Sequence, residues 1–286
     1  MNTNDRELKV SYLSKDKYRC PVCDAEFHRE EMLTGSGRLI AGEITDELHR
    51  LYEPSAKYGD VYPLVYAATV CPECWFASMD KDFFNVPDYV REKIYQEKDV
   101  RIQEVGKILP FVDFTRPREL VDGAVSQYLV LRCYDYFTPD FSPTIKQGIT
   151  SLRTAWLFDE LHKKHPGNNY DWLATLLKRK ALFFYREGIE KEQSGKEKLS
   201  AINNFGPDTD KNYGYEGALY LSALLQLKYG TRDDSAKRVE LLTESRITIA
   251  RIFGLGKSSK SKPGPLLEHA RNLYEAIKKE LNETDE

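Results

Sequence analysis

The sequence predicts a mainly α protein with a small β-rich head, on three observations. Two Cys-Pro-x-Cys pairs, Cys20-Pro21-Val22-Cys23 and Cys71-Pro72-Glu73-Cys74, lie near the N-terminus. Runs rich in branched and aromatic residues fill the interval between them, bounded by Gly and Pro as strands are. After Phe84 the apolar period lengthens from two to nearer four, the spacing of helices that bury one face. The division that follows is residues 1–84 as a β-rich module, 85–114 as a connecting helix and linker, and 115–286 as a helical domain.

The cysteine pairs make the head a zinc-ribbon-like module. A two-residue spacing lets both sulfurs of a tight turn face one ion, and Cys20, Cys23, Cys71 and Cys74 together supply four thiolates. Four ligands close the coordination sphere and leave no position for water or substrate, so the site is structural. Tetrahedral sulfur suits zinc or a rubredoxin-like iron. Zinc is preferred, because Asp24 and Trp75 stand where such an iron knuckle uses glycine for its left-handed turn. His28 and His49 lie near enough in sequence to substitute as ligands but are not needed, and they read as surface or supporting residues. His162 and His165 read as helix-end cations. Cys133 reads as a small core residue, and Trp75 and Phe76 as cover for the site or its anchor to the helices.

Within the head, Leu39 to Ile44 and Tyr62 to Val70 have the composition of strands. The 47 residues between Cys23 and Cys71 are too many for a bare loop. A hairpin or a short helix must fill them, and Asp46 to Tyr52 has the helical pattern. Start signals then recur: Asn85 before Pro87, Arg116 before Pro117 and Glu119, and Ser142 before Pro143. They open helices over 86–104, 117–137 and 143–164, and further helices are expected over 170–192, 212–229, 235–254 and 265–282. Trp172, Leu176, Leu177, Ala181, Phe184 and Gly188 mark one face of the helix over 170–192.

The last six helices read as antiparallel pairs. Tyr213, Gly217 and Tyr220 have the four-then-three spacing of the first helix of a tetratricopeptide repeat, and Ala181, Tyr185 and Gly188 resemble the small-aromatic-small run of its second. The repeat's period of about 34 residues is not kept. The body is therefore either a tetratricopeptide-like stack or an irregular α-bundle.

Charge excludes some functions and weakens others. The net charge is −3, divided as −7 over residues 1–140 and +4 over 141–286. A balance of +4 falls far below the basic stripe of a dedicated nucleic-acid binder. Leu64 to Val70, the longest uncharged apolar stretch, is too short to cross a bilayer, and Met1 to Glu7 has no apolar leader segment. With cysteines in ligand spacing, these features fit a cytoplasmic protein with no membrane contact. Gly256-Lys257-Ser258 is no phosphate loop, since Arg251 stands where its first glycine must be.

Cys20 to Cys23 followed by Phe27, tyrosines ahead of Cys71 to Cys74, Ala77 soon after, Lys81-Asp82-Phe83, and Arg153-Thr154-Ala155-Trp156-Leu157 in the helical half occur in that order. The arrangement resembles a bacterial family known as domain of unknown function 2225, over nearly the whole chain. The resemblance implies a zinc-ribbon-type head joined to tetratricopeptide-like helices in cytoplasmic proteins, with the metal on Cys20, Cys23, Cys71 and Cys74. It implies no reaction.

The expected function is that of a cytoplasmic zinc-containing adaptor or scaffold, binding a protein or peptide partner through the concave face of its helical half. Two other readings stand beside it. One is an enzyme with a cleft at the junction of the halves, for which no catalytic residue is assigned. The other is an RNA-associated module using the knuckles and the more basic half.

Overall fold

The computed structural model describes residues 9–109, 111–199, 202, 204–253 and 264–284. Gly256-Lys257-Ser258 lies outside them. The chain forms two compact units: one takes the chain up to Glu43 together with Arg50–Tyr136, the other takes Ile44–His49 and the chain from Phe137 onward.

Among the described residues the first unit contains three antiparallel hairpins. Strand β1 (Ser11–Arg19) pairs with β2 (Glu26–Met32), β3 (Ile40–Ile44) with β4 (Arg50–Glu53), and β5 (Ala68–Val70) with β6 (Ala77–Met79). The registers Arg19 opposite Glu26 and Val70 opposite Ala77 place one cysteine pair in the turn of each outer hairpin. Phe76 and Phe83, both fully buried, stack with ring centroids 5.2 Å apart, and Phe27 meets Phe83 edge-on at 5.9 Å. This aromatic cluster is part of the core of the first unit.

Two expected features differ. Tyr62 to Val70 is not one strand: Pro63–Tyr66 forms a 3-10 turn, because proline fixes φ and has no amide for a ladder, and only Ala68–Val70 pairs. Of the hairpin or short helix expected to fill the insertion, the hairpin β3–β4 is found, and Asp46 to Tyr52 is not helical. Thr45 and His49 close a turn between β3 and β4, with Thr45 N donating to His49 O at 2.8 Å and Leu48 N to Thr45 O at 2.9 Å.

Among the described residues this unit has three α-helices: α1 (Asp88–Gln96), α2 (Lys98–Ile108) and α3 (Leu120–Cys133). The single helix expected over 86–104 breaks at Glu97, whose φ of −95° and ψ of 17° leave the helical region. Arg101 explains how the break is tolerated. Its Nη1 donates at 2.6 Å to Ile94 O, a carbonyl near the end of α1. Helix α3 begins later than its Arg116-Pro117 signal, because Glu119 and Asp122 form a reciprocal capping box. Gly123 lets α3 approach the 3-10 turn: a Cβ there would lie 2.8 Å from Val65 Cα.

The second unit contains α4 (Pro143–Lys164), α5 (Tyr170–Gln193), α6 (Gly214–Tyr229), α7 (Ser235–Phe253) and α8 (Gly264–Thr284), each packed on the next, with α6 also touching α8. These ranges match the sequence expectation to within about two residues. Helices α4 and α5 meet through reciprocal small residues, Gly148 against Tyr185 and Gly188 against Ile145, where a Cβ on either glycine would sit 3.3 Å from its neighbour. Tyr185 is fully buried in that seam. The buried stripe of α5 runs through Ala174, Leu177, Ala181, Tyr185 and Gly188. Trp172 and Leu176, expected on that face, are exposed. Among the described residues no helix is long and apolar enough to cross a membrane.

Candidate metal centre

The two cysteine turns are built alike. Cys20 N donates to Ala25 O at 2.9 Å and Asp24 N to Cys20 O at 3.0 Å; Cys71 N donates to Phe76 O at 2.9 Å and Trp75 N to Cys71 O at 3.0 Å. Each turn passes through a left-handed residue, Asp24 at φ 63° and Trp75 at φ 57°. Left-handed backbone costs a non-glycine residue about 1–2 kcal/mol, and both side chains find partners in compensation. Asp24 accepts from Arg19 Nε at 3.0 Å, and the Trp75 ring meets Phe114 edge-on at 5.4 Å. The knuckle is thus formed without glycine.

The turns bring four sulfurs together. Cys20 Sγ lies 3.6 Å from Cys74 Sγ, Cys23 Sγ lies 3.6 Å from Cys71 Sγ, and all four are within 4.8 Å of one another. A tetrahedron with metal–sulfur bonds of about 2.3 Å has edges of about 3.8 Å, so the set fits a single ion. Val22 N donates to Cys20 Sγ at 3.4 Å, the kind of amide contact that steadies a thiolate. The thiols compete for protons. Hydrogen bonds from Cys20 and Cys74 push Cys71 down, while the hydrogen bond with Cys71 pushes Cys20 up and those with Cys20 and Cys71 push Cys74 up. A bound cation removes that competition by favouring all four thiolates.

Four thiolates around a divalent ion leave surplus negative charge in a buried place. Arg101, 1% exposed, supplies the opposite sign and donates from Nη2 to Cys74 O at 2.9 Å. One guanidinium therefore ties the break between α1 and α2 to the second knuckle, which sequence spacing could not reveal.

The other residues weighed from the sequence stand apart. His28, on β2, hydrogen-bonds Ser14 O through Nδ1 at 2.7 Å. Cys133 is fully buried, its sulfur accepting from Ala77 N at 3.5 Å and its thiol pushed up by burial, as a core residue. His162 lies at the end of α4 with Nδ1 3.7 Å from Asp171, and His165 follows as the helix cap. Among the described residues no other group of three or more His, Cys, Asp or Glu converges as the four cysteines do.

His49 belongs to the helical unit, and with it a second cluster. Its ring stacks on Trp156 of α4, and its Nδ1 lies 2.5 Å from Asp208 Oδ2. Trp156 Nε1 donates to Glu47 Oε2 at 2.6 Å, and Tyr229 OH donates to Glu47 Oε1 at 3.2 Å. Tyr220 OH donates to Asp46 O at 2.7 Å, and Lys228 pairs with Asp46 at 2.8 Å. Burial first, and the carboxylates of Asp46 and Glu47 next, push Tyr220 well up, so its phenol stays a donor. Elsewhere in this unit α5, α6 and α7 enclose a cleft of about 250 Å³ with Arg186, Glu190, Gln226 and Glu244 in its lining, which includes no histidine or cysteine.

Two hairpins whose turns bring four cysteines together, in a chain otherwise made mostly of helices, define a predominantly helical protein with a four-cysteine cluster that could hold a metal ion. The chain belongs to the family described as "Uncharacterized protein conserved in bacteria (DUF2225)", whose model matches residues 13–277. It is similar to an uncharacterized protein of Borreliella burgdorferi, 41% identical over 274 residues, covering 96% of this chain and 98% of that one. No solved structure matches.

Proposed function

We propose that the protein is a zinc-braced cytoplasmic adaptor that binds a protein or peptide partner through its helical unit. Zinc rather than iron occupies the four cysteines, because cross-linking two distant turns requires only a redox-inert ion and no electron partner. Helices α4 to α8 act as a tetratricopeptide-like body, with α4 and α6 presenting the binding face.

The observation that carries this reading is the seating of a short non-helical segment, Asp46 to His49, against side chains of α4 and α6. A surface that already holds an irregular stretch of chain through side-chain contacts has the chemistry for peptide recognition. Two measurements test the proposal. Elemental analysis of purified chain should give one zinc per molecule, and a coloured, iron-loaded protein would overturn the metal. Immobilised full-length chain should capture a protein that the Lys228→Glu chain does not. Capture no different from that of an unrelated bait would overturn the adaptor.

A further inference from the structure

The groups that α4 and α6 direct at the turn are nearly all donors. Trp156 Nε1, Tyr229 OH and the Lys228 ammonium meet the Glu47 carboxylate, the last at 3.6 Å, while Lys228 meets the Asp46 carboxylate and Tyr220 OH the Asp46 backbone carbonyl. Between these two acids and His49 sits Leu48, fully buried. It is held at φ 60°, a left-handed conformation a leucine keeps only where its surroundings impose it. Gly217 of α6 lies against it: a Cβ there would be in ordinary contact with Leu48 Cδ1 at 3.9 Å, and the residue it would crowd is Tyr213, at 2.5 Å. The turn's own backbone bonds run within Thr45 to His49. Its attachment to the helical unit therefore runs mainly through side chains: the acidic pair, the buried Leu48, and His49, which stacks on Trp156.

We infer that the α4–α6 face is a receptor for a short acidic motif of the form Asp-Glu-Leu, and that residues 46–48 occupy it in cis as a resident competitor. This rests on the adaptor reading and names its ligand class: a protein segment carrying two adjacent carboxylates followed by a leucine. The converging donors reject a basic or purely apolar segment, since each would leave buried donors unpaired. The tethered turn has a high local concentration, so an outside segment binds the wild-type chain only in the fraction of molecules whose turn has left.

The probe is a fluorescently labelled synthetic peptide spanning residues 43–51, with a scrambled peptide as control. The full-length Glu47→Ala/Leu48→Ala chain should bind the peptide at least about tenfold more tightly than the wild type does, the gain expected when a resident competitor is removed. Adding Lys228→Ala should abolish the gain, and the scrambled peptide should bind neither chain. Should the double variant not fold, the Glu47→Gln chain, which removes only the charge, supports the same comparison. Equal binding of the true and scrambled peptides to a folded turn variant would overturn the inference, as would a wild-type dimer whose turns are exchanged between copies. If the wild type still captures a partner in that event, the adaptor reading survives; if neither wild type nor turn variant captures one, that reading fails as well.

Discussion

His49 lies flat on Trp156, ring centroids 4.2 Å apart and planes 13° from parallel, although 107 residues of chain separate them. The same indole donates to Glu47. Trp156→Phe keeps the stacking surface and removes the donor, leaving one oxygen of a buried carboxylate short of a partner. The expected loss is about 1–3 kcal/mol, read as a lower urea midpoint for the helical signal. An unchanged midpoint would show that water takes the donor's place.

The proposed metal brace predicts that the Cys71→Ser chain binds no metal and that its first unit unfolds while α4 to α8 persist. Structural zinc supplies on the order of 10 kcal/mol in small peptides. Limited proteolysis should cut the variant within residues 11–79 and spare the later helices. A variant that retains one metal per chain would contradict the assignment of Cys71.

Arg101→Met removes the donors to Ile94 O and Cys74 O and, with them, a buried guanidinium beside the cluster. Metal affinity should fall about 10- to 100-fold, as for other residues that steady a ligand from outside. Competition with a coloured chelator measures it. A shift in thermal stability at unchanged affinity would confine Arg101 to holding α1 and α2.

Burial holds the Asp122 carboxyl above the ordinary carboxylate range. A group whose pKa is raised on folding stabilises most below the unfolded value, about 3.9 for Asp, and loses that contribution as pH rises through the folded value. Asp122→Asn keeps an acceptor for Glu119 N and removes the buried charge. The variant should therefore gain on the wild type as pH rises from about 3 to 7. Parallel stability curves across that range would overturn this account.

Much of the architecture was legible because its signals are local. Cys20, Cys23, Cys71 and Cys74 converge as their spacing suggested, and Ser142-Pro143 opens α4 at the expected residue. The misses arise where a distant partner decides. Glu97 interrupts one apolar pattern into two helices because Arg101 can satisfy Ile94 O across the break. Leu48, Leu51 and Tyr52 look like a helical face, but Leu48 is claimed by the other unit. Trp172 and Leu176 fit a stripe that the α4 contact, made through Gly188 and Tyr185, leaves in solvent. No pattern within a window of ten residues reports that Asp46 to His49 complete a helical unit whose other parts begin at Phe137.

That late completion has a consequence for biosynthesis. Glu47 and Asp46 find their donors 109 to 182 residues downstream, on helices that do not exist when the turn leaves the ribosome. At the usual rate of translation the turn waits on the order of ten seconds or more before α6 is available. Through that interval a leucine preceded by two acids is presented on a nascent chain whose own receptor is unmade, which makes the turn a natural client for whatever protects emerging polypeptides.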